Sequence, residues 1–268
     1  MRSLALVSLM LSLAACPPVL QAVDAGPVAN PSFKHAHNDY EHPRPLLDAL
    51  EQKFESVEAD VWLDGSDIGV SHAGPPYKGS LKALYLDPLA ARVAANGGTS
   101  VYGDGKPFFL WLDLKDGSAA LQELIATQLA GYDFLTRFDD AGIAKQGAVT
   151  VLLTGDDVGK KALVDRAAPR PYARDSNSYS PNDPPADGKW VTYAVNYFSF
   201  LSWPGDGEMP AAQQKQLKNL IDGAHATGRT IRIFTSPDSP SYWLPARDAH
   251  LDFVNTDKLS ELATSFSP

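Results

Sequence analysis

The segment Pro107 to Leu114 is a nearly unbroken apolar run, F-F-L-W-L-D-L after its proline, and its polar interruption comes only at the end. A strand with no polar face must be covered on both sides, which an antiparallel hairpin exposed to water does not provide. Ala148 to Thr154 has the same character. Between and around these runs, strand-like and helix-like stretches alternate. Ser32 to His37, Ser56 to Leu63, Trp190 to Asn196, Thr230 to Thr235 and Leu251 to Val254 read as strands; Ile68 to His72 returns against Ser56–Leu63 across the turn Asp64-Gly65-Ser66-Asp67. Pro45 to Phe54, Asp87 to Ala95 (with Asp87 as a cap before Pro88), Ser118 to Ala130, Pro210 to Thr227 and Lys258 to Phe266 read as helices. Alternation of this kind predicts a parallel sheet with helices outside it. Roughly seven or eight such units, with polar residues at the strand ends, favour a single closed TIM-type (β/α) barrel over an open doubly wound sheet. Ala168 to Gly188, with five prolines, is expected to be a long excursion over the active face.

The chain has 268 residues, an apolar content of 44% and a net charge of −9. That is ample for one large core. No basic run is present, so nucleic acid is not expected as a partner. Met1 to Cys16 reads as an export signal, too short in its apolar run to span a bilayer, ending in L-A-A-C. This resembles a bacterial lipoprotein cleavage box, which implies lipidation of Cys16, the sole cysteine. The alternative is an ordinary signal cut a few residues later. Either way the expectation is an exported protein, membrane-anchored or periplasmic or secreted, with residues 17–31 as a flexible tether, the barrel occupying 32–268, and membrane contact by the lipid anchor only.

In a barrel of this type chemistry gathers at the carboxyl ends of the strands. Glu58 and Asp60 are two apart in a strand and share a face. Two buried carboxylates side by side are costly without a counter-ion, which points to a metal. Asp113 and Lys115 repeat the spacing on the next long strand, and in isolation read equally well as a structural ion pair. His35, His37, His42 and His72 lie near the first strand and the hairpin. Three carboxylates, with no Cys or His cluster, favour Mg²⁺ or Ca²⁺ over zinc.

Taken together, the pattern resembles the superfamily of glycerophosphodiester phosphodiesterases, phosphatidylinositol-specific phospholipases C and sphingomyelinase D toxins. The superfamily's pattern is a His at the first strand end, E-x-D at the second, His on the following hairpin, and an acid two before Lys on the third. Those positions read His37, Glu58 with Asp60, His72, and Asp113 with Lys115. D-L-K-D-G-S looks like the toxin branch; H-N-D-Y-E-H, W-P-G-D-G and N-T-D look like the altered-inheritance-of-mitochondria branch. The resemblance selects His37 over its neighbours. It implies a TIM-type barrel, a divalent metal on Glu58, Asp60 and Asp113, acid–base work by His37 and His72, and charge stabilisation by Lys115, with a substrate hydroxyl often the attacker.

One position departs from the pattern: the usual Arg after the first His is Asn38. Arg232, on a late strand, is the candidate replacement. Asn38 and Arg232 are therefore expected substrate contacts, and Trp203, which opens W-P-G-D-G and groups with Tyr197, Phe198 and Phe200, reads either as barrel packing or as a third contact, an apolar wall for a lipid or sugar headgroup. The expected activity is metal-dependent hydrolysis of a glycerophosphodiester, phospholipid or related small phosphodiester by a monomer. The competing readings are an amidohydrolase-type metallohydrolase and a surface lipoprotein that captures a phosphate ligand without cleaving it.

Overall fold

The computed structural model describes residues 32–267, so the expected export signal, Cys16 and the expected tether lie outside the described residues. Eight parallel strands close into a barrel: β1 (Phe33–Ala36), β2 (Ser56–Asp64), β3 (Phe108–Leu114), β4 (Val149–Gly155), β5 (Ala173–Ser176), β6 (Trp190–Asn196), β7 (Thr230–Phe234) and β8 (Phe253–Thr256). Each pairs with its neighbours in chain order, and β1 pairs with both β8 and β2 to complete the ring. Among the described residues seven α-helices surround it: α1 (Leu47–Glu51), α2 (Asp87–Ala95), α3 (Ala119–Ala130), α4 (Asp157–Val164), α5 (Ala211–Ala226), α6 (Pro240–Asp248) and α7 (Leu259–Ser265). β2 runs on into a hairpin with Asp67–Val70, with Asp64 opposite Asp67. Among the described residues no helix is long and apolar enough to cross a membrane.

The two-residue period of a strand explains how one sequence run serves two cores. On β3, Leu110, Leu112 and Leu114 join the apolar layer that also holds Leu121 and Ile125 of α3. Trp111, between them, belongs to a separate cluster with Phe33, Leu152, Ala173, Ala194 and Phe253. Phe33, Phe109 and Phe253 close the lower barrel with ring centroids 4.9–5.6 Å apart. Two residues further along, Trp111 and His35 pack edge-on at 5.7 Å. One more step of two brings β1 and β3 to His37 and Asp113. The apolar filling thus ends where the polar residues begin.

Two expectations are corrected. Ala168–Gly188 is not only an excursion: it contains β5, a four-residue strand that pairs with β4 and β6. Its brevity and the prolines on either side hide it from a pattern search. Loop remains on either side of β5, and the stretch from Asn177 to Lys189 joins β5 to β6 without a helix. Asp87 is not a cap either. A turn of π-helix, Lys82–Leu86, leads straight into α2, and the Asp87 carboxylate instead takes Lys82 Nζ and the Tyr132 hydroxyl.

Candidate active site

Strand register assembles the carboxylates. Glu58 lies beside Trp111 and Asp60 beside Asp113 across the β2–β3 pairing. One oxygen from each of Glu58, Asp60 and Asp113 falls within 4.8 Å of the others. Glu58 and Asp60 are buried, at 2% and 1% exposure. Lys115 Nζ is 3.0 Å from Asp60 Oδ2 and 2.8 Å from Asp113 Oδ2. Packing leaves no freedom beside Asp113: Gly155 has φ +81°, and a Cβ there would come within 2.0 Å of Asp113 Oδ1 and 2.6 Å of the Leu114 carbonyl.

Glu58 faces a second cation. Arg232 on β7 donates from Nη1 to Oε1 at 2.8 Å and from Nη2 to Oε2 at 2.9 Å, a two-pronged pair. The Arg232 guanidinium also lies 4.9 Å from the Trp111 ring. Burial by itself would raise the Glu58 pKa, but Arg232 and the nearby His35 outweigh it and hold the carboxyl well below its usual range. Asp60 goes the other way. Burial and the charges of Glu58 and Asp113 raise it, with Lys115 opposing.

His37 and His72 reach this cluster from different elements. His37, one residue past β1, holds Nδ1 2.8 Å from Asp257 Oδ1 and points Nε2 at Glu58 Oε2, 3.8 Å away. Burial lowers its pKa, yet the Asp257 hydrogen bond and the Glu58 charge more than offset this and raise it overall. His72, on the hairpin and 66% exposed, has Nδ1 3.2 Å from Asp60 Oδ2 and 3.4 Å from the Tyr40 hydroxyl. His35 is different: it is fully buried, holds Ser56 Oγ at 2.7 Å, and is driven down to about 3 by burial and Arg232. It stays neutral and packs the barrel interior. His225 on α5 binds Asp252 at 2.7 Å, and His250 follows α6; neither joins the cluster.

A cavity of about 480 Å³ opens over the cluster, lined by His37, Glu58, Asp113, Lys115, Asn177 and Arg232 among others. Of the three expected substrate contacts, only Arg232 lines it, and its guanidinium is committed to Glu58. Asn38 stands in the left-handed region at φ +46° and its Oδ1 accepts the Tyr40 hydroxyl at 2.9 Å, so it braces the loop after β1. Trp203 is buried at 6% exposure; its Nε1 donates to the Asp206 carbonyl, and its own carbonyl accepts from Tyr197. Its ring packs into the outer core. Its neighbour Phe198 is the exposed aromatic of that group, at 60%. Asp257 and Tyr40, which fall in N-T-D and H-N-D-Y-E-H, contact the site, and Asn177 lines it; the sequence assigned none of the three a role. The signal for Asp257 was its place in N-T-D at a strand end.

The donor set fits a hard divalent cation. All the oxygens are carboxylate, Asp60 Oδ1 is buried without a hydrogen-bond partner, and the histidines are not in the group. Charge balance agrees: three carboxylates against Lys115 and Arg232 leave one net negative charge. A divalent ion would convert this to one net positive charge, which suits an anionic ligand.

The profile of the AIM6-like phosphodiesterase domain matches residues 24–170. The "Altered inheritance of mitochondria protein 6" of Candida glabrata is 26% identical over 287 aligned positions, covering 85% of this chain and 70% of that protein. The protein of the same name from Saccharomyces cerevisiae strain RM11-1a is 27% identical over 273 positions, covering 86% and 70%. Among solved structures, a glycerophosphodiester phosphodiesterase from Parabacteroides distasonis superposes with a TM-score of 0.52 at 14% identity, covering 88% of this chain and 96% of that one. One from Agrobacterium tumefaciens gives 0.51 at 11% identity, covering 88% and 100%. At such identities the shared property is the barrel fold.

Proposed function

The chain belongs to the AIM6-like phosphodiesterase family, and on that premise we propose that it is a metal-dependent phosphoric diester hydrolase acting on a small phosphodiester or a lipid headgroup. The observation that carries this reading is the convergence of Glu58, Asp60 and Asp113 to within 4.8 Å, with Lys115 bonded to two of them, His37 Nε2 3.8 Å from Glu58 and His72 Nδ1 3.2 Å from Asp60.

Glu58, Asp60 and Asp113 would hold Mg²⁺ or Ca²⁺, whose contribution is to polarise the phosphoryl oxygens and neutralise their charge. The rest falls to the chain's own groups. Lys115 is kept fully protonated: burial lowers its pKa, but Asp113 and Asp60 raise it further, so it stabilises charge developing on the phosphate. His37 and His72 share the proton work, one taking a proton from the attacking hydroxyl or water and one giving a proton to the leaving oxygen. Asp257 fixes the His37 ring so that Nε2 is the nitrogen turned toward the carboxylates. Tyr40 is held protonated by burial and by the Asp60 charge, and braces His72.

The proposal includes export and, through a lipid on Cys16, attachment to a membrane by that anchor alone; its support is the L-A-A-C sequence. It also takes the protein as a monomer that does not engage nucleic acid, consistent with the net charge of −9.

The test is turnover of bis(p-nitrophenyl) phosphate and of a panel of lysophospholipids and glycerophosphodiesters by the full chain, with Mg²⁺, with Ca²⁺ and after chelation. Turnover that disappears with chelator and returns with one of the two ions supports the reading. A folded protein that binds a diester tightly and cleaves none would replace it with ligand capture. Activity that returns with zinc alone would favour the amidohydrolase-type chemistry.

A further inference from the structure

A second charged group bonds a residue that lines the same cavity, and the chemistry above makes no use of it. Lys160 on α4 is fully buried, with Nζ 2.6 Å from Asp175 Oδ1 and 2.6 Å from Asn177 Oδ1. Asp175, on β5, is likewise at 0% exposure. A buried lysine–aspartate pair carries a desolvation cost on both partners, and apolar residues of similar volume often serve packing as well or better. The pair does something an apolar pair would not: it holds the side chain of Asn177.

Asn177 is the first residue past β5, exposed, and it lines the cavity with Glu58, Asp113, Lys115 and Arg232. An amide presents an acceptor on one side and donors on the other. An ammonium only donates, so Lys160 settles which end is which: Oδ1 is turned to Lys160. Nδ2 then donates to the Ala194 carbonyl at 3.2 Å. Its second hydrogen has no acceptor among the described residues. In a cavity that already holds three carboxylates, an amide oxygen turned inward would repel an anion, whereas an N–H turned inward binds one.

We infer that Asn177 is a substrate-contacting residue that donates to a non-bridging phosphate oxygen, and that Lys160 with Asp175 is the positioning pair that keeps its donor face toward the phosphate. This rests on the phosphodiesterase reading and identifies one group on the cavity wall that recognises the anion. It also supplies a neutral donor in a site where the position after the first histidine is Asn38, not a cation.

The experiment measures steady-state turnover of bis(p-nitrophenyl) phosphate and calorimetric binding of inorganic phosphate, on the full chain with the activating ion. Asn177→Ala is expected to raise KM and the phosphate Kd roughly tenfold, with kcat within about threefold. Asn177→Asp, which replaces the donor by a charge of the wrong sign, is expected to weaken both by roughly a hundredfold or more. Lys160→Met paired with Asp175→Leu keeps the interior neutral and foldable. It is expected to raise KM toward the Asn177→Ala value, and to add nothing further when combined with Asn177→Ala. A change in thermal midpoint with KM unmoved would mean the pair is structural only and would overturn the assignment. Asn177→Ala and Asn177→Asp that match an active wild type would overturn it as well, leaving the phosphodiesterase reading intact. A folded wild type that neither binds phosphate nor cleaves any diester overturns both together.

Discussion

Arg232 and Glu58, 174 positions apart in the chain, are joined by two hydrogen bonds of 2.8 and 2.9 Å across the barrel interior. The pair ties β7 to β2, which are not adjacent in the sheet, and it keeps a buried carboxylate ionised beside two others. Removing one partner of such a pair leaves a naked buried charge. Arg232→Met should therefore destabilise the fold by about 3–5 kcal/mol, read from urea denaturation. Adding Glu58→Gln should recover most of that loss without restoring turnover. Equal stability of Arg232→Met and wild type would show that the pair contributes little.

His37 is 34% and His72 66% exposed, so either can be replaced without opening the core. His37→Asn and His72→Asn should each lower kcat by roughly two to four orders of magnitude while the thermal midpoint stays within a few degrees. A loss below about tenfold for either would remove that residue from the proton chemistry.

Asp257→Asn is a finer probe. Its amide oxygen still accepts the His37 N–H, so ring orientation survives while the charge is lost. Because Asp257 is one of the groups raising the His37 pKa, the limb of the pH–rate profile belonging to His37 should move to lower pH. A profile that loses height without shifting would mean that Asp257 acts through geometry alone.

The parts of this site that could be read in the sequence are those set by local periodicity. Glu58 with Asp60, and Asp113 with Lys115, are two apart on strands, and the two-residue period puts each pair on one face whatever the rest of the fold does. The parts that could not be read depend on distant packing. Nothing near Arg232 shows that its fork will close on Glu58, and nothing in the α4 segment V-G-K-K shows that Lys160 is buried while Lys161 is exposed. β5 went unseen because four residues among prolines carry too little pattern, and α6 because Pro240 and Pro245 disguise a nine-residue helix. His35 and His37 point to the same interior face, and only depth in the barrel separates the neutral packing residue from the one at the cavity.

Trp203 tests the correction at the aromatic group. Since its ring is buried in the outer core, Trp203→Ala should cost about 3–5 kcal/mol of stability. Trp203→Phe should be tolerated with KM for any diester unchanged. A KM that rises severalfold in the stable Phe variant would return Trp203 to the substrate site.

Asp39 makes the loop after β1 sensitive to pH. Its Oδ2 accepts the Leu46 amide at 2.5 Å and the Tyr85 hydroxyl at 2.9 Å, while Oδ1 is buried with no partner. Burial pushes its pKa from 3.8 up to about 7, against those two hydrogen bonds. The folded state therefore holds a proton that the unfolded chain has already released. Stability from this group is complete below about pH 4 and is lost as pH rises toward and through about 7. Asp39→Asn keeps an oxygen for both donors and has nothing to titrate. Its stability relative to wild type should climb from pH 4 to about 7 and then level off, measured by urea denaturation across that range. Parallel stability curves for the two proteins would show that Asp39 is ionised in the fold throughout.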